Sequence, residues 1–136
     1  MEDMGEQVTL QILAEQEIEH IKTLSGPVVR VCGPLTADGP DGYERNAARL
    51  RLAEDVLEQK GYTVWRFGPS EATIQSGEFS HSAIMDYFHR PVLASGVISG
   101  AFFLPRWDES SGARQERALA EEYGIEIHDI PETWLQ

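Results

Sequence analysis

The chain has 136 residues, 41% hydrophobic and 25% charged, a balance that fits one folded domain and excludes a disordered or helical membrane-spanning chain. Eleven Lys and Arg stand against 23 Asp and Glu, and the formal charge of −12 argues against duplex nucleic acid or an anionic membrane as partner. A small phosphorylated ligand stays compatible, because backbone amides and one or two Arg suffice to hold a phosphate.

Residues 1–8 are polar and acidic and are expected to fray. Leu10, Leu13, Ile18, Ile21 and Leu24 recur at helical spacing and predict a helix over 9–24, ended by Ser25-Gly26-Pro27. It reads as an extension (1–27) ahead of an α/β domain (28–136), with an apolar face for packing or for a homodimer. The β-branched run 28–32 predicts a first strand, followed by Gly33-Pro34-Leu35-Thr36 and a loop to Gly42. Asp41 and Glu44 have capping-box spacing, and the helix they open carries Leu50, Ala53, Val56 and Leu57 and stops at Lys60-Gly61. A second strand covers 62–67 and breaks at Gly68-Pro69-Ser70, and 71–79 is polar and irregular. Ser80 or Ser82 caps a helix with Ile84, Tyr87 and Phe88, which Pro91 kinks or ends. The most apolar run, 97–104, predicts a central strand. A loop leads to a helix over 111–123, stopped by Gly124, and 125–127 forms a last short strand. Strands alternating with helices predict a Rossmann-like parallel sheet with helices on both faces, plus the extra N-terminal helix.

In such sheets ligands bind beyond the carboxyl ends of the strands, which selects two loops, 32–35 and 104–113. Neither G-x-G-x-x-G nor G-x-x-x-x-G-K-[ST] occurs, which counts against NAD and nucleoside triphosphates. With Ser111 as cap, Glu116 stands on the second turn of the last helix and leans over Ala113 and Gly112. The helix dipole and free amides there favour an ionised carboxylate, the state a nucleophile needs. The same residue also fits a solvent-facing position in the run Arg114-Gln115-Glu116-Arg117. His81 and His89 flank Asp86 and read as surface or capping residues. No spacing of His, Cys and carboxylates makes a metal site, and no cofactor is expected. Cys32 excludes an internal disulfide and reads as a small buried residue; with no signal peptide, a reducing, cytoplasmic setting is expected. Trp107, in the loop, is a better candidate for stacking on a base than Trp65 or Tyr43.

The pattern Leu104-Pro105-x-Trp107-x-x-Ser110-x-Gly112-Ala113-x-x-Glu116-x-x-x-Ala120-x-x-x-Gly124, with Val31-Cys32-Gly33-Pro34-Leu35 and Asn46 upstream, resembles the nucleoside 2-deoxyribosyltransferase-like proteins. The likeness covers residues 28–127 and is closest to a short, largely uncharacterised branch. The superfamily also includes hydrolases of nucleoside monophosphates. The resemblance implies cleavage or transfer at the N-glycosidic bond of a nucleoside or nucleoside 5′-monophosphate, with Glu116 attacking the anomeric carbon as in a retaining glycosidase. It implies that Ser110, Ser111 and Gly112, beside Ala113, offer donors to a 5′-phosphate or 5′-hydroxyl. Gly33, Pro34 and Leu35 would line base and sugar, and a site shared between subunits would add to the homo-oligomer expectation. Ser99 and Pro91 stand where the family commonly carries acids, which leaves Asp86 or His89 to protonate the leaving base. Arg106 replaces a family Gly and suits either a phosphate grip or solvent. The missing acids also favour a rival reading, a non-catalytic nucleotide-ligand binding protein on the same scaffold.

Overall fold

A computed structural model describes residues 2–35, 38–66, 74, 77 and 79–135. Four parallel strands, β1 (Val28–Cys32), β2 (Thr63–Val64), β3 (Gly100–Phe103) and β4 (Glu126–Asp129), form one sheet in the order β2-β1-β3-β4. Val29 pairs with Val64 on one side and Gly100 on the other, Cys32 with Phe103, and Phe103 with Asp129. All four residues of β3 are buried, as a strand with neighbours on both edges and cover on both faces requires.

The helices are α1 (Glu2–Lys22), α2 (Gly39–Gln59), α3 (His81–Ile84), α4 (Arg90–Ala94) and α5 (Ser111–Glu122). Side chains alternate across β1. Val29 and Val31 pack with Ala53 and Leu57 of α2, with Phe102 and Leu104, and with Ile130 and Leu135 near the C-terminus. Val28 and Cys32 join Leu10 and Ile21 of α1, Val92 and Leu93 of α4, and Ala120 of α5 on the other face. The period of two therefore sends Arg30 to the face of α1, α4 and α5. Helices on both faces of a parallel sheet are the architecture expected from the sequence.

Several local expectations change. The first helix begins at Glu2 rather than after residue 8. Leu10, Leu13, Ala14, Glu17 and Ile21 form its buried stripe, so the apolar face that suggested a homodimer is used inside the chain. α2 begins at Gly39, ahead of Asp41, so the Asp41–Glu44 capping box is not at its start; Asp38 occupies the cap position without a capping bond. Pro91 does not end its helix. A π-helical turn (Met85–His89) joins α3 to α4, with the Arg90 N–H donating to Met85 O, and this wider turn carries the chain past a residue that has no N–H of its own. Ser110, not Ser111, caps α5, its hydroxyl accepting from the Ala113 N–H at 3.3 Å. β2 is two residues long; Thr36, the expected strand end at Phe67, the Gly68-Pro69-Ser70 break and most of 71–79 lie outside the described residues. Among the described residues no helix is long and apolar enough to cross a membrane.

Candidate functional site

From β1 the chain proceeds outward to β2, and from β3 outward to β4, so the carboxyl ends of β1 and β3 form a switch point, the place where parallel sheets characteristically carry a ligand crevice between diverging loops. Gly33 opens the first loop. A Cβ there would stand 2.7 Å from Leu104 Cδ1, so a larger residue would force the buried Leu104 side chain to shift. The buried Asn46 amide donates to Pro34 O at 2.8 Å, Leu35 O at 3.4 Å and Asp38 Oδ2 at 3.1 Å, fixing this loop from α2. In the second loop Arg106 has φ +68°, a left-handed conformation that explains why a glycine suits this position.

Arg106 crosses the crevice. It donates to Asp38 Oδ1 at 2.7 Å and to both Glu109 oxygens at 2.9 Å, and its hydrogen bonds hold both carboxyls below their ordinary range. The cation expected to grip a phosphate is thus already neutralised by two carboxylates. Ser110, buried as the helix cap, has its hydroxyl on the Ala113 amide; Ser111 is exposed; and Gly112 faces His81, whose Cε1 would be 3.4 Å from a Cβ there. Trp107 sits edge-on to Phe103 at 5.8 Å, and Arg117, paired with Asp129, stacks 4.2 Å over its ring. That face of the indole is covered.

The chemistry-bearing cluster lies under the crevice, against the sheet. Glu116 does not rest over Gly112 and Ala113 as its helical spacing suggested. It reaches β1, where Oε2 accepts from Arg30 Nε at 3.1 Å and Cys32 Sγ at 3.0 Å. The reason is Arg30, a cation on the covered face of a central strand that must meet an opposite charge. The two side chains are only 12% and 13% exposed. The Arg30 guanidinium also stacks 4.6 Å from the centre of the Trp65 ring, and Trp65 Nε1 donates to Glu17 Oε1 at 2.7 Å.

Burial opposes ionisation of Glu116, but Arg30 beside it, then His89, then the thiol and guanidinium hydrogen bonds outweigh burial and hold its carboxyl below the ordinary value. Burial lowers the pKa of His89 to about 4 against the pull of Glu116, with Arg30 and His81 adding to the fall, so its ring is neutral at pH 7. Burial and the Glu116 charge push the Cys32 thiol well up, so it stays protonated and donates. Both hydrogen bonds to Glu116 fall on Oε2, and among the described residues none falls on Oε1. The product is an ionised carboxylate held through one oxygen, with no hydrogen bond to the other among the described residues.

Of the residues singled out in the sequence, Glu116 and His89 meet here, and Gly33, Pro34, Leu35, Asn46, Arg106 and Trp107 build the crevice loops above. Asp86 does not join them: it is exposed and lines a separate open cleft with Ser82, Arg90, Gln115 and Glu122. A π turn leaves Asp86 and His89, three residues apart, pointing about a third of a revolution away from each other. Sequence reasoning missed Arg30 as the partner, Trp65 as its platform and Glu17 behind it. The available signal was Arg30 itself, at an inward position of an otherwise apolar strand.

A family model described as a domain of unknown function (DUF4406) matches residues 27–129. No curated protein and no solved structure matches the chain.

Proposed function

The chain belongs to the DUF4406 domain family of unknown function, and from its residues we propose that it cleaves the N-glycosidic bond of a nucleoside or nucleoside 5′-monophosphate, with Glu116 as nucleophile. The observation that carries this reading is the ionised, nearly buried Glu116 beneath the switch-point crevice, with Oε2 tied to Arg30 and Cys32 and Oε1 unengaged among the described residues. The resemblance of its Ser-x-Gly-Ala-x-x-Glu context to the nucleoside 2-deoxyribosyltransferase-like proteins supports the same role.

In the first step Oε1 bonds to the anomeric carbon as the carbon–nitrogen bond breaks, and the bonding pair leaves with the base. In the second, water attacks the same carbon, the carboxylate departs, and the proton that water sheds to solvent balances the one the base takes from it. Arg30 orients the carboxylate and stabilises it as the leaving group of the second step. His89, neutral at pH 7, lacks the imidazolium proton and is a poor acid toward the leaving base. The leaving base takes its proton from water, which favours bases that depart easily.

The placement of acids favours a second reading, a protein that binds the same ligand without turnover, because Asp86 faces another cleft and His89 is neutral. Incubation with a panel of nucleosides and 5′-monophosphates separates the two. Free base on chromatography, lost in Glu116→Gln, supports cleavage. Binding without base release supports the second reading.

A further inference from the structure

α1 lies ahead of the family region at 27–129, yet it sends a fully buried carboxylate toward the candidate site. Glu17 shares its stripe with Leu10, Leu13, Ala14 and Ile21, where an apolar residue would pack without the cost of removing a polar group from water. Its Oε1 accepts from the Trp65 indole N–H at 2.7 Å. The face of that indole carries the Arg30 guanidinium at 4.6 Å, and Arg30 Nε holds Glu116 Oε2.

We propose that Glu17 is a positioning residue for Glu116, acting through Trp65 and Arg30. The carboxylate fixes the plane of the indole and, by polarising its N–H, makes the ring face more attractive to a cation. The ring sets the plane of the guanidinium, and the guanidinium sets the direction of Oε2 and so of Oε1. Among the described residues, the groups facing Glu116 include Arg30 and Cys32 from β1 and His89 from the π turn; those acting on Arg30 include Glu116, Cys32, Trp65 and Glu54 of α2; His81 acts on His89. Among these groups it is Trp65 that donates a hydrogen bond to Glu17.

The test compares the full-length chain with Glu17→Gln, which keeps an acceptor for the indole, and Glu17→Met, which removes it. Carboxyl-labelled glutamate and NMR follow the titration of Glu116, assigned by the signal lost in Glu116→Gln. A positioning role predicts that Glu17→Met raises the Glu116 midpoint by about half a pH unit or more while Glu17→Gln stays near wild type. It also predicts that the Glu17→Met effect disappears in an Arg30→Met background. A folded Glu17→Met whose Glu116 midpoint is unmoved overturns the proposal, as does a shift of equal size in Glu17→Gln or one that persists without Arg30. If Glu17→Met does not fold, Glu17→Met/Trp65→Phe, which removes both partners of the bond, takes its place under the same criteria. The kinetic arm alone rests on the cleavage reading: kcat falls about tenfold or more in Glu17→Met with KM held, and Glu17→Gln restores it. A wild type that releases no base refutes the cleavage reading and leaves the titration result to decide this one.

Discussion

Arg30→Met tests the buried pair. The methionine stem can still lie against Trp65, so the substitution removes the charge and the hydrogen bond while keeping much of the packing. Glu116 then remains nearly buried with only the Cys32 thiol as donor. Removing one partner of a buried ion pair costs about 3–5 kcal/mol; the pair here keeps some solvent and one hydrogen bond, so the expected cost is about 3 kcal/mol. Glu116 relieves part of it by taking up a proton, so the cost shrinks as pH falls toward 5. Replacing both partners, in Arg30→Met/Glu116→Leu, removes both desolvated charges and should return stability to within about 1 kcal/mol of wild type. Urea unfolding followed by circular dichroism at pH 7 measures wild type, Arg30→Met, Glu116→Leu and the double variant, with equal m-values required for comparison. The double-mutant cycle should show a coupling of about 2 kcal/mol or more between positions 30 and 116. A single-mutant cost below about 1 kcal/mol, or two costs that simply add, would refute the view that Glu116 depends on Arg30.

Two further outcomes follow from the same geometry. His89 has a folded-state pKa of about 4 against 6.5 when unfolded, so the unfolded chain binds the extra proton; the stability from keeping the ring neutral is whole above pH 6.5 and is lost as pH falls toward 4, by about 3 kcal/mol in all. Unfolding free energies at pH 7 and 5 should differ by about 2 kcal/mol more in wild type than in His89→Leu, and equal pH slopes would contradict this. Gly33→Ala puts a Cβ into Leu104 Cδ1 and should cost about 1–3 kcal/mol, part of which Leu104→Ala relieves in the double variant; an unchanged thermal midpoint for Gly33→Ala would show that the Leu104 side chain moves aside freely.

The alternation of strands and helices was legible because the apolar period switches between two and 3.6 along the chain, and β3 stood out as central because it is apolar at successive positions. The crevice loops were legible for a topological reason: Gly33-Pro34 and the segment from Trp107 to Glu116 follow strands, and parallel sheets gather such loops at one end. What escaped were partnerships over long sequence separations. Arg30 and Glu116 are 86 residues apart and Glu17 and Trp65 are 48 apart, so no local spacing reveals either contact. The inward charge on β1 showed that Arg30 needed a partner, not which carboxylate would supply it. Glu17 sits in an apolar stripe between Ala14 and Ile21, and a helical period alone would have counted it as a polar interruption. The cap of α5 was misplaced by one residue because Ser110 and Ser111 are equivalent in sequence, and only the fold decides which hydroxyl turns inward.

The central claim is that Glu116 forms a bond to the sugar, and trapping that bond tests it most directly. A nucleoside with fluorine at the 2′ position slows breakdown of a glycosyl-enzyme more than its formation, so the intermediate accumulates. Intact-mass spectrometry should show one added fluorinated sugar per chain with one equivalent of base released, and peptide fragmentation should locate it on Glu116, with no adduct in Glu116→Gln. Base release with the adduct on another residue, or neither base nor adduct across purine and pyrimidine analogues with and without a 5′-phosphate, would contradict the account.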